Sequence, residues 1–92
     1  MIDEVQIIPI KPTDGLVAFA SVVYNKTIFL GSIGIHTKLD GSGFRLTYPT
    51  KRVAGKDMHL FHPINRELSQ EIEQAVFTKL KKVMNKSHDR YN

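Results

Sequence analysis

Several lysine and arginine side chains lie where they could neutralise an anionic partner. Two share a short segment in the middle of the chain, one opens a predicted C-terminal helix, and the others lie along that helix or after it. Affinity for nucleic acid depends on several such side chains contacting backbone phosphates. The candidate phosphate-contacting residues are Lys51, Arg52, Arg66, Lys79, Lys81, Lys82 and Lys86.

The distribution of charge favours the same interpretation. The formal net charge is +4. Basic and acidic residues balance through Ala75, so the whole excess lies in the predicted end of the helix and in the tail. A concentrated basic end suggests an anionic partner. The alternative is a solvated helix end, where lysines interact favourably with the C-terminal dipole.

The histidines do not predict a metal site. His59 and His62 are three residues apart in a segment that reads as a strand running into a turn. Residues three apart in a regular strand point to opposite faces, so we expect no chelation by this pair. We expect His62 to hydrogen-bond the backbone beside Pro63 instead. No cofactor is expected.

No pattern in the sequence predicts catalysis. The serines and aspartates show no spacing of a nucleophile with a base, and the aspartates lie mainly in predicted turns. The loop Gly41-Ser42-Gly43 is too short for a phosphate-binding loop and lacks the following Lys-Ser/Thr. We therefore expect neither an enzyme nor a small-molecule substrate. Tyr48 and Phe61 could stack on bases, but core or interface positions are favoured for both.

Length and composition indicate one small domain. The chain has 92 residues, 41% of them hydrophobic and none of them Cys. A domain of this size without disulfides must pack very well or oligomerise. The N-terminus lacks the hydrophobic run of a signal peptide, and no apolar stretch approaches the length of a membrane span. These features predict a cytoplasmic protein without membrane contact.

The hydrophobic pattern predicts strands followed by one helix. A two-residue turn at Asn25-Lys26 should join two strands, and Pro9 should place the first strand at a sheet edge. A basic loop is expected at 50–56. The predicted strands are 4–10, 16–24, 27–36, 44–48 and 58–61.

The predicted helix begins after Pro63, with Asn65 as its N-cap. Its apolar residues recur at three- and four-residue steps through Met84. Lys79 lies on that stripe, so either its stem follows apolar surface or the helix bends or ends near Thr78. These patterns predict a single domain over 1–84 and a basic, frayed tail over 85–92.

The strand at 16–24 is apolar on both faces, which requires cover on both. One helix covers only one face, and a second copy of the chain would cover the other. The sequence therefore predicts an α+β fold, with a small, mainly antiparallel sheet, a C-terminal helix packed on one face, and a homodimer formed through the sheet.

Residues 43–52, followed by His62-Pro63-Ile64-Asn65, resemble the SpoVG family of stage V sporulation or septation proteins. That family has a Gly-Leu-Phe-Val-x-Met-Pro-Ser-like strand end and then a His-Pro-Ile-Asn helix start. The second motif is intact here, whereas Tyr48 stands where the family usually has Met. The resemblance covers roughly residues 4–84.

The resemblance implies a bacterial, homodimeric regulator of septation, sporulation or gene expression that binds DNA and, in some members, RNA. It also implies that the helix after His-Pro-Ile-Asn contributes to binding. The competing hypothesis is a protein-interaction or structural module that influences division or development without touching nucleic acid.

Overall fold

A computed structural model describes the backbone of residues 1–90 and the side chains of residues 1–84. The fold is α+β, as predicted, with two antiparallel sheets and a C-terminal helix packed on the larger sheet. The elements in chain order are β1 Ile2–Thr13, β2 Leu16–Tyr24, β3 Ile28–Thr37, β4 Phe44–Thr47, β5 Thr50–Val53, β6 Lys56–His59 and α1 Arg66–Arg90.

The larger sheet has four strands in the order β1-β2-β3-β4, each antiparallel to the next. Pro9 lies on β1, which forms one edge of this sheet, as predicted. The turn predicted at Asn25-Lys26 is present, because Thr27 N donates to Tyr24 O at 3.0 Å, but Tyr24 pairs with Ile28, so the connection has three residues instead of the predicted two. Asn25 and Lys26 have φ angles of 55° and 56°, the left-handed conformation that this tight turn requires.

The hydrophobic core lies between this sheet and α1. Strands β2 and β3 contribute one face each, and the helix contributes residues at three- and four-residue steps. All of these side chains are at most 5% exposed: Ala18, Ala20, Val22, Ile33, Ile35, Ile72, Val76 and Leu80. The apolar stripe predicted for the helix is thus the surface that packs on the sheet.

The opposite face of the four-stranded sheet is uncovered. Ile8 on β1 is 58% exposed and Phe29 on β3 is 67% exposed. Phe19 and Val23 on β2 point to the same face and are half-buried. Strand β2, which was predicted to need cover on both faces, is therefore covered by α1 on one face only among the described residues.

The predicted loop at 50–56 is wrong. The structure instead forms a two-stranded ribbon of β5 and β6, which also moves the last predicted strand from 58–61 to Lys56–His59. Ala54 and Gly55 make the turn with φ angles of 51° and 79°. Neither face of the ribbon is buried, so its sequence lacks the apolar alternation that indicates a strand.

Helix α1 begins as predicted. Leu68 N donates to Asn65 Oδ1 at 2.7 Å, which satisfies an amide of the first turn, and Ser69 N donates to Asn65 O at 3.2 Å. Glu67 adds a carboxylate near the positive end of the helix dipole. His62 Nδ1 donates to the carbonyl of Pro63 at 3.1 Å, which confirms its backbone role.

Replacing Asn65 with Ala should destabilise the protein by about 1 kcal/mol, the usual loss for a side-chain cap. Asn65→Asp is the matched control, because aspartate caps equally well. The measurement is the denaturant midpoint at unchanged slope. Equal stability of the Ala and Asp variants would contradict the capping role.

The helix passes Thr78 without interruption and extends to Arg90. Lys79 is exposed, and the helix does not end beside it. The predicted basic tail 85–92 lies outside the residues whose side chains are described, and the domain boundary at residue 84 stays a prediction. Within residues 1–90, no helix is both long and apolar enough to cross a membrane.

Tyr48 packs between the sheet and the helix, with its ring edge-on to Phe61 at 6.0 Å between centroids. The favoured core position is thus confirmed for both rings. The Tyr48 hydroxyl is buried and has no hydrogen-bond partner among the side chains that the structure describes. Burial, followed by the negative charge of Glu73, raises the pKa of Tyr48 to about 12.

Replacing Tyr48 with Phe should stabilise the protein by about 1 kcal/mol, because a buried hydroxyl without a partner carries a desolvation penalty. The measurement is the free energy of unfolding at neutral pH. A decrease of similar size in the free energy of unfolding would show that the hydroxyl is hydrogen-bonded in solution.

The same variant tests the raised pKa. A tyrosine in the unfolded chain ionises near pH 10, whereas Tyr48 in the folded chain keeps its proton to about pH 12. The unfolded state therefore loses its proton first, and the contribution of Tyr48 to stability falls as pH rises above about 10. The free energy of unfolding of Tyr48→Phe should therefore fall less steeply than that of the wild type as pH rises above about 10.

Candidate nucleic-acid interface

The two-stranded ribbon of β5 and β6 is the most accessible element of the described chain. Every side chain from Thr50 to Leu60 is exposed. Within residues 1–90, neither strand of the ribbon packs against the four-stranded sheet or α1. An isolated two-stranded hairpin is only marginally stable in water. Its form is therefore that of an arm whose faces are available to a partner.

The strand register divides the ribbon into two chemically different faces. Lys51 lies opposite Met58, and Val53 lies opposite Lys56, so these four side chains share one face. This lysine face combines two ammonium groups with two partly exposed apolar side chains. Val53 is 45% exposed and Met58 is 55% exposed.

The other face carries an ion pair. Arg52 Nη1 lies 3.5 Å from Asp57 Oδ1, and both side chains are largely exposed. Such a surface pair adds little stability, but Asp57 offsets the charge of Arg52 locally. Thr50 and His59 share this face. The uncompensated positive charge of the ribbon is therefore on the lysine face.

Lys56 is an additional candidate phosphate contact. It was not predicted from the sequence, because the pattern placed it at the end of a loop. The sequence does contain a pattern that would place Lys56 on the ribbon. Gly55 at the second position of a two-residue turn would pair Val53 with Lys56 and bring Lys56 to the face of Lys51. Lys51 and Arg52, predicted to share a loop, instead lie next to each other on strand β5 and point to opposite faces of the ribbon.

The helix lysines do not form a single patch. Lys79 and Lys82 face the β1 edge of the sheet and line a shallow groove with Asp3 and Glu4. Lys81 lies on the other side of the helix, in a groove that Glu73 also lines. Each of these three lysines therefore lines a groove that also includes a carboxylate, whereas the residues paired with Lys51 and Lys56 on the ribbon are apolar.

Arg66 lies apart from these lysines. It is the first residue of α1, about 24 Å along the axis from Lys82 at 1.5 Å per residue. The side chain of Lys86 lies outside the described residues. The predicted phosphate contacts whose side chains are described thus lie in three places. These are the ribbon, the start of α1 and two sides of the C-terminal half of α1.

The interpretation of His59 and His62 as pointing apart is wrong. Their ring centroids lie only 4.7 Å apart. Strand β6 ends at His59, so the alternation of a regular strand does not apply to the residues that follow. Among the described side chains, no group of three His, Cys, Asp or Glu residues is arranged to hold a metal ion.

His36 lies on the four-stranded sheet, with Nε2 hydrogen-bonded to Thr47 Oγ1 at 2.9 Å. Burial, followed by the charge of Arg45, lowers the pKa of this imidazole. His36 is thus part of the sheet surface, separate from the histidines beside the ribbon.

Comparison with known proteins adds no family assignment. No protein-family model matches the chain, and no protein in the curated set matches its sequence. The resemblance to the SpoVG family stays a prediction.

Proposed function

We propose that this protein binds the phosphate backbone of DNA and RNA as a homodimer and acts as a cytoplasmic regulatory protein in bacteria. The observation that carries the proposal is the ribbon, an exposed two-stranded arm with Lys51 and Lys56 on one face. The major groove of DNA admits a two-stranded β-ribbon, and lysines beside it can contact phosphates on either strand. The resemblance to the SpoVG family supports a role in septation, sporulation or gene expression.

The helix end is a second contact surface in this proposal. Lys81 and Lys82, with Lys79, supply positive charge in the C-terminal half of α1. Asp3, Glu4 and Glu73 line the same grooves as these lysines, and opposite charges that share a groove lower its net positive charge. We therefore assign the main phosphate contacts to the ribbon and a supporting role to the helix.

The test is binding to mixed-sequence DNA and RNA across a range of salt concentrations, measured by fluorescence anisotropy. The logarithm of affinity should fall linearly with the logarithm of salt concentration, with similar slopes for unrelated sequences. Absence of binding at 50 mM salt would overturn the proposal.

The exposed apolar side chains beside the ribbon support the alternative of a protein-interaction module. Leu60 is 62% exposed and Ile64 is 90% exposed. Together with Val53 and Met58 they could pack on a protein partner rather than enter a groove. Such a module would show no salt-dependent affinity for either nucleic acid.

The homodimer should form through the uncovered face of the four-stranded sheet. Replacing Phe29, which is 67% exposed there, with Glu should convert the dimer to a folded monomer. Sedimentation equilibrium at micromolar concentration measures the mass. Leu39→Glu is the matched control, because this fully exposed side chain lies in the loop before β4. A wild-type protein with the mass of one chain would contradict the dimer.

A further inference from the structure

His59 and His62 form a side-chain pair that the proposed nucleic-acid contacts do not use. The ring centroids are 4.7 Å apart and the ring planes are tilted by 49°. Both side chains are exposed, so a dissolved ion can reach them. Imidazole is the commonest protein ligand of transition metals.

The hydrogen bond of His62 fixes the tautomer that metal binding needs. Nδ1 donates to the Pro63 carbonyl at 3.1 Å, so Nε2 carries the free lone pair. Metal-ligating histidines characteristically donate their other ring N–H to a carbonyl, carboxylate or water, which orients the ring. This orienting contact is already present in the chain without a metal.

The spacing of the rings allows both imidazoles to ligate one ion. A metal ion lies about 3.2 Å from the centroid of an imidazole that ligates it, given a metal–nitrogen distance of about 2.0 Å. Two such rings at the tetrahedral angle would have centroids about 5.2 Å apart, whereas a right angle brings them to about 4.5 Å. The observed 4.7 Å lies between these two values, so the rings are close enough to share one ion.

The described side chains offer the pair no third ligand. Asp57 shares a ribbon face with His59, but its carboxylate is paired with Arg52 at 3.5 Å. Among the described side chains no group of three His, Cys, Asp or Glu residues could hold an ion, so the described protein ligands are these two histidines. Such a site exchanges its ion readily and differs from a closed structural zinc site.

We propose that His59 and His62 together bind one divalent late transition-metal ion, Cu²⁺ more tightly than Ni²⁺. The order follows the general rise of affinity toward copper for nitrogen ligands. The bound ion links the end of β6 to the segment that precedes the cap of α1. This binding is independent of the nucleic-acid proposal and can be tested without nucleic acid.

The experiment titrates the untagged chain with Cu²⁺ and separately with Ni²⁺, by calorimetry in a non-coordinating buffer. We expect one ion per chain and the tighter binding for Cu²⁺. His59→Gln and His62→Gln should each weaken Cu²⁺ binding at least tenfold. His36→Gln is the matched control and should leave the affinity unchanged, because His36 lies on the four-stranded sheet.

Pulsed electron paramagnetic resonance of the wild-type Cu²⁺ complex counts coordinated imidazoles without any variant. The site is supported if the wild-type complex has two coordinated imidazoles and each of His59→Gln and His62→Gln has one. One imidazole in the wild type, unchanged affinity when both His59 and His62 are replaced by Gln, or loss of binding in His36→Gln would overturn it.

Discussion

A variant with Lys51→Glu and Lys56→Glu should bind nucleic acid about tenfold to a hundredfold more weakly at 0.1 M salt. Both lysines lie on one exposed face of the ribbon, where the described chain places no carboxylate opposite them. Each lost phosphate contact also lowers the salt slope by about one unit, so the slope should fall by about two. Anisotropy titrations at several salt concentrations measure both effects.

The matched control is Lys11→Glu with Lys38→Glu, which makes the same change in net charge at exposed positions away from the ribbon. Its affinity should fall much less. Equal losses in the two variants would mean that net charge, rather than the ribbon, determines binding. A further variant, Lys81→Glu with Lys82→Glu, measures the supporting role of the helix and should fall between these two.

Replacing Ile72 with Ala should cost about 2–5 kcal/mol in the free energy of unfolding. Ile72 is 1% exposed and packs from α1 onto the sheet, so the smaller side chain leaves a cavity. That loss is a large share of the about 5–15 kcal/mol that stabilises a typical domain. Denaturant unfolding at unchanged slope measures it.

Ile64→Ala is the control with the same chemistry at an exposed site. Ile64 is 90% exposed, so its removal should change the free energy of unfolding by less than about 0.5 kcal/mol. If Ile72→Ala were equally harmless, the packing of α1 on the sheet would be wrong. A large loss in Ile64→Ala would instead indicate that this side chain is buried against a second copy.

The larger sheet and the start of the helix could be predicted from sequence because burial leaves a periodic signal. Strand β2 has the predicted bounds Leu16–Tyr24, and Asn65 caps α1 as expected. The ribbon could not be predicted in this way. Its strands are exposed on both faces, so only the turn at Ala54-Gly55 marks them, and charged residues around that turn resemble a loop.

The candidate site was predicted by residue type but not by arrangement. Lysines and arginines are visible in the sequence, whereas the face that each occupies depends on strand register and helix packing. Lys51 is thereby separated from Arg52 and joined to Lys56, and Lys81 is separated from Lys79 and Lys82. The pair of His59 and His62 depends on where β6 ends, which the sequence placed too late.

The most direct test of the central claim is an NMR titration of the ¹⁵N-labelled protein with a short mixed-sequence DNA duplex. We expect the largest shifts at the amides of 50–59, with smaller shifts near Lys81 and Lys82. The amide chemical shifts on the uncovered face of the four-stranded sheet should not change. Shifts absent from 50–59, or concentrated on β1 and β2, would contradict the ribbon as the nucleic-acid-binding element.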